Sequence, residues 1–174
     1  ILSTGNCAAF IDVSASKFEM TTNRLVVSGV LCKERGDGSA VKVIKVEADN
    51  VHISKNVVVI EAVCKSVYDI VTSQECIVEG EKIRMLVTGD KQVNSVVLCR
   101  GNAVKAIGNT IYGSGYLTFV EIHDSGSVSV NGNRAFGASD VLSIISVDAN
   151  VCAVNDNLVL GADKCSWIMY LRAK

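Results

Sequence analysis

Four side chains in this sequence have the chemistry of a hydrolytic or eliminating site: Glu121, His123, Asp124 and, further along the chain, Asp148. Two carboxylates about 5 Å apart are what a retaining glycoside hydrolase uses, one as nucleophile and one as acid and base. Like charges that close raise one pKa, and the raised group becomes the proton donor. The two aspartates come that close only if the backbone returns to the same place once per repeat of about 24 residues, one strand spacing of ~4.8 Å further on. The alternative is a pair of solvated turn aspartates sharing a cation. Glu121 and His123 stand where the positions one repeat before and one repeat after carry Val97, Cys99, Ile145 and Val147. A one-residue slip would turn Val120 and Ile122 inward and leave Glu121 and His123 outside, near Tyr116 and Asp124, a bulge of the sort found beside sites. Against this stands an outer surface with ordinary charges. Sugar grooves offer aromatic platforms, and Tyr112 and Tyr116 bracket a loop from which they could stack on a ring. Aromatic content is only 5%, with Trp167 the single tryptophan, so any such platform is small.

Other chemistries find little support. Two histidines, His52 and His123, and many serines give no nucleophile triad a defined spacing. The 7 cysteines (Cys7, Cys32, Cys64, Cys76, Cys99, Cys152, Cys165) include no C-x-x-C pair, so no metal site is expected, and nothing calls for a cofactor. Their odd number fits a disulfide framework badly; they read as small buried hydrophobes of a protein folded in a reducing cytoplasm. A net charge of -1 and a pI of about 6.1 leave no basic excess for nucleic acid. The longest apolar candidate, Val57 to Ile60, is far short of the ~18 residues of a membrane helix. No secretory signal is seen, and a chain opening on Ile1 is expected to be an excised piece or a processed product. Arg35-Gly36-Asp37 matches an integrin-binding tripeptide and is read as a chance turn. Gly113, Gly137 and Gly161 recur with the same period as the repeat, a turn requirement and not a phosphate loop.

The elements that must position such a site are strands. With 174 residues, 49% hydrophobic and 20% charged, the chain suits one ordered domain. Proline is absent, β-branched residues abound and long amphipathic helical patterns are missing, which makes the chain all-β. A repeat then emerges: an apolar residue, a second two on, a polar residue five on and a third apolar residue seven on. The first column is Phe18, Val51, Cys76, Val104, Val128, Cys152. The second is Met20, Ile53, Val78, Ala106, Val130, Val154, and the third Leu25, Val58, Ile83, Ile111, Ala135, Val159. All are apolar, far beyond what a 49% content gives by chance. Mixed residues between the first two columns mark strand alternation. The polar column is Asn23, Asn56, Glu81, Asn109, Asn133, Asn157. An asparagine there accepts left-handed φ in a turn, and stacked amides can hydrogen-bond along the pile. Glu81 is expected to break this ladder, pointing outward or marking an altered turn. The unit is longest between Phe18 and Val51, swells again between Cys76 and Val104, and settles to about 24 residues from Val104 onward. The excess falls in loops at positions 33–39 and 89–94.

A unit of this length with the phrasing N-V-x-I-x-x-N-x-V resembles the right-handed parallel β-helix proteins. Residues 49–58 carry it most closely and 128–137 again, and the likeness runs over about residues 10–162. It implies a right-handed solenoid of about six rungs, roughly 24 residues each, in one domain: residues 1–17 a lead-in or cap, 18–162 the rungs, 163–174 a final strand, cap or trimer contact. Proteins of this look include pectate-lyase-like enzymes, polysaccharide epimerases and bacteriophage tailspikes. The resemblance to tailspikes and tail fibres implies a homotrimer in the virion tail, assembled in the bacterial host cytoplasm, that contacts surface polysaccharide without membrane or nucleic acid. The rival expectations are a polysaccharide hydrolase or lyase acting through the Asp124/Asp148 region, and a purely architectural solenoid.

Overall fold

The computed structural model describes residues 9–28, 42–62, 64–87, 93–138, 140–161 and 164–173. The Arg35-Gly36-Asp37 turn and the 33–39 loop lie outside them, as does most of 89–94. In chain order the strands are β1 (Ala9–Thr21), β2 (Arg24–Val27), β3 (Lys42–Ser54), β4 (Val57–Ile60), β5 (Ser66–Glu79), β6 (Lys82–Met85) and β7 (Val93–Arg100). They continue as β8 (Ala103–Ile107), β9 (Thr110–Tyr112), β10 (Tyr116–Asn131), β11 (Arg134–Phe136), β12 (Ser143–Asn155), β13 (Leu158–Leu160) and β14 (Trp167–Ala173). Every pairing between them is parallel.

Long and short strands alternate along the chain and sort into two sheets. The long sheet runs β1-β3-β5-β7-β10-β12-β14, with β8 continuing the level of β7 between β5 and β10. The short sheet runs β2-β4-β6-β9-β11-β13. Each circuit therefore adds one level to both sheets, and the fold is a β-solenoid. Six levels of the short sheet enclose five turns, most of them about 25 residues long.

The three apolar columns are register columns. Phe18, Val51, Cys76, Val104, Val128 and Cys152 pair one above another, as do the six residues from Met20 to Val154 and the six from Leu25 to Val159. Their inner levels are buried, from Val51 at 2% exposure to Ile53 and Ile83 at 0%. Two further columns complete the core: Ile44, Tyr68, Val97, Val120, Ile145, and Val46, Ile70, Cys99, Ile122, Val147. Of the described cysteines, Cys64, Cys76 and Cys99 are buried, while Cys152, on the last full level, is exposed.

The turn before each short strand corrects the reason given for its asparagine. The left-handed residue stands one place earlier, at Thr22, Lys55, Gly80, Gly108, Gly132 and Asp156, with φ between 55° and 65°. Freed from that duty, the asparagines form a hydrogen-bonded file. Main-chain N and Nδ2 of Asn109 both donate to Asn133 Oδ1 at 3.0 Å, and the same pairs of bonds link Asn133 to Asn157 and Asn23 to Asn56. Each Nδ2 from Asn56 onward also donates back to a second-column carbonyl: Asn56 to Met20, Asn109 to Val78, Asn133 to Ala106, Asn157 to Val130. Glu81 does not point outward. It is fully buried within the file, where Oε1 accepts from both nitrogens of Asn56 and its own N–H donates to Asn109.

Candidate functional site

The long sheet is irregular between its two halves, along a line that makes its corner. The register slips there in two places, between Ala48 and Asn50 and between Ile122 and Ser125, and Gly101–Asn102 interrupts the level of β7 and β8. Backbones approach closely at the corner. A Cβ on Gly101 would stand 2.2 Å from Thr72 Cγ2, and one on Gly126 2.6 Å from Asn102 Oδ1.

The slip in β10 decides where the titratable residues go. Val120 pairs with Val97 below and Ile145 above, Ile122 with Cys99 and Val147, and all are buried. Glu121 and His123 therefore face outward. Asp124 is the extra residue of the bulge, at φ 52°. Because β10 carries one residue more than β12 here, Asp124 and Asp148 are not register partners, and the in-register stacking expected of them is absent. On the side away from β10 Asp148 pairs with Arg172 of β14, and on the side away from β12 His123 pairs with Arg100 of β7.

The outer groups fall into two neighbouring clefts. One, of ≈ 270 Å³, is lined by Lys65, Ser95, Arg100, Glu121 and His123 among others. In it Glu121 accepts a hydrogen bond from Ser95 Oγ through Oε2, while Oε1 lies 2.6 Å from His123 Nε2. A carboxylate that fixes an imidazole can set its tautomer and support proton transfer. The other cleft, of ≈ 470 Å³, follows the corner past Arg100, Asn102, Asp124 and Asn150. Arg100 borders both, and Asp148 lines neither. Among the described residues no three His, Cys, Asp or Glu side chains gather to hold a metal. Cys99 is no nucleophile: contact with Cys76 Sγ at 3.6 Å and full burial push its thiol well up, away from the thiolate.

The two tyrosines part company. Tyr116 lies wholly inside the core, where burial pushes its phenol up, so it offers no face to a ligand. Tyr112 is 48% exposed on the outer face of the short sheet and stacks on Phe136, one level above, with centroids 5.2 Å apart and planes 12° from parallel.

That outer face has two columns, made by the neighbours of the third core column. One reads Arg24, Val57, Lys82, Thr110, Arg134, Leu158; the other Val26, Val59, Arg84, Tyr112, Phe136, Leu160. Sequence reasoning passed over Phe136 and these cations, although the period already put them one residue before or after Leu25, Val58, Ile83, Ile111, Ala135 and Val159. No protein-family model, no curated protein and no solved structure matches the chain.

Proposed function

We propose that the chain is a β-solenoid segment of a bacteriophage tailspike or tail fibre, a structural and binding module that contacts host surface polysaccharide as a homotrimer. The observation that carries this reading is the Tyr112–Phe136 stack on the outer face of the short sheet, with Tyr112 exposed and Phe136 half-buried, an aromatic pair on which a pyranose could pack. A pile of parallel strands repeats its outer positions at a fixed spacing, which suits a repeating polymer, and three copies would multiply weak contacts. Buried thiols at Cys76 and Cys99 suit assembly in the bacterial cytoplasm before the virion leaves it.

A second reading, a polysaccharide hydrolase or lyase, draws on one observation, the Glu121–His123 pair in a cleft beside Ser95 and Arg100. The third, a scaffold alone, needs neither platform nor cleft. An array of capsular and O-antigen polysaccharides separates them. The expected result is retention of a subset by the wild type, about tenfold weaker binding by Tyr112→Ala, and a trimer by light scattering. A clean monomer removes the trimer, and an array with no bound glycan leaves the scaffold. Release of reducing ends that Glu121→Gln abolishes moves the assignment to the enzyme.

A further inference from the structure

The four cations on the short sheet's outer face, Arg24, Lys82, Arg84 and Arg134, are all exposed. The six strands carry no Asp or Glu. Of the carboxylates bordering them in sequence, Glu81 is buried, and Glu61 and Asp156 lie in flanking turns. None of the ion pairs among the described residues uses any of the four cations. In a molecule of net charge -1 this is a local concentration of positive charge, not a reflection of overall composition.

The placement is periodic as well as positive. Along their column Arg24, Lys82 and Arg134 occupy every second level, with Val57 and Thr110 between. Levels lie ~4.8 Å apart, so the three charges repeat at about 9.6 Å, close to the reach of a disaccharide in an extended chain. The second column adds Arg84 and the Tyr112–Phe136 rings. We infer that this face binds an extended acidic polysaccharide lying along the solenoid axis, one carboxylate to each second level and a sugar ring against the aromatic pair. The inference rests on the glycan-binding reading and narrows it to anionic polymers and to this sheet.

The spacing favours that occupant over the others. Each strand of duplex DNA presents a phosphate about every 3.4 Å of helix axis and would leave most of its charge unmatched by this column. A second copy packed face to face would set like cations against one another. A polymer charged on every second sugar meets one cation per charge.

The test measures binding of the whole chain to hyaluronan, which carries one carboxylate per disaccharide, to polygalacturonate, to neutral dextran and to oligo(dT). The expected result is binding to one or both acidic polysaccharides and not to dextran. Raising salt from about 50 to 200 mM should weaken it, and the triple variant Arg24→Gln/Lys82→Gln/Arg134→Gln should bind at least about tenfold less tightly with a shallower salt dependence. These side chains are exposed, so the variant should melt at the wild-type temperature. Failure to bind either acidic polymer overturns the inference, as does unchanged affinity in the triple variant. Tighter binding of oligo(dT) than of either polysaccharide, lost in the variant, overturns it in favour of a nucleic acid. If neutral array glycans bind while the acidic polymers do not, this inference fails and the glycan-binding module stands. If nothing binds, both fall.

Discussion

Glu81 holds a place that the other levels fill with asparagine, and its extra methylene explains how. Asparagine Oδ1 accepts from the level before while Nδ2 returns a bond to a carbonyl; a carboxylate can do the first and has no N–H for the second. Glu81 instead sends its second oxygen to the hydroxyl of Tyr68, which is itself buried in the core. Burial raises its pKa above the ordinary value of 4.5, and the hydrogen bonds from Tyr68 and Asn56 offset only part of that. The native state thus holds this proton more tightly than the unfolded chain does. The stability it contributes is full below about pH 4.5, and is lost as pH rises through the raised native value. Glu81→Gln keeps an acceptor for Asn56, offers Tyr68 an N–H and has no charge to bury. Its stability relative to wild type should therefore grow between pH 4 and pH 7 in urea titrations, whereas Glu81→Ala should lose about 2–3 kcal/mol at pH 4 by stranding the buried partners, a deficit that shrinks toward pH 7 by the amount that Glu81→Gln gains. A Gln-minus-wild-type difference that does not change with pH would remove the charge-burial account.

At the scale of elements, the same logic makes the asparagine file a set of cross-ties between turns. Asn133 is tied to Asn109, Asn157 and the Ala106 carbonyl. Asn133→Asp preserves shape, yet sets a carboxylate oxygen against the Ala106 carbonyl and the Asn157 Oδ1, with no tyrosine placed as Tyr68 is for Glu81. It should cost about 2–4 kcal/mol in urea denaturation, while Asn23→Asp, exposed on the first level, should cost less than about 1 kcal/mol. Equal costs at the two positions would mean that the file carries no special stability. Much of this architecture is legible in the sequence because it is periodic: one column of six apolar residues at fixed offsets names the register outright. What escapes is whatever departs from the period. The first halves of the long strands bury consecutive residues, Val67 with Tyr68, Val96 with Val97, Phe119 with Val120, so alternation gives no sign of which face is inner. The bulge at Asp124 adds one residue and so breaks the even count that would have set Asp148 over it. The outer cations and Phe136 are readable from the same offsets, but a search for catalytic carboxylates looks past them, and Glu81 is misjudged because its partner Tyr68 lies in another column, 13 residues away.

For the whole molecule, a solenoid's stability is close to a sum of level-by-level interfaces, and its end levels have a neighbour on one side only. The columns that are buried in the middle reach Cys152 exposed and Val154 and Val159 half-buried on the last full level. Beyond it β14 covers only the first half of β12, and its residues from Trp167 to Leu171 are each 48–57% exposed on both faces of the strand. Local opening should follow this gradient. Hydrogen exchange is expected to be slowest at Ala106, Val130 and Ile111, where two levels flank each amide, and faster at Val154, Val159 and in β14, with opening free energies about 2–3 kcal/mol lower. Concentration adds a second reading to the same experiment. A trimer whose contact includes β14 would protect Ile168 and Tyr170 as the protein is concentrated, by mass action, and leave Ala106 and Val130 unchanged. Strong protection of β14 at every concentration would contradict the picture of an end held from one side. Uniform exchange from β2 to β13 would mean that the levels open as one cooperative unit, which additive nearest-neighbour interfaces do not produce in a stack whose last level is this exposed.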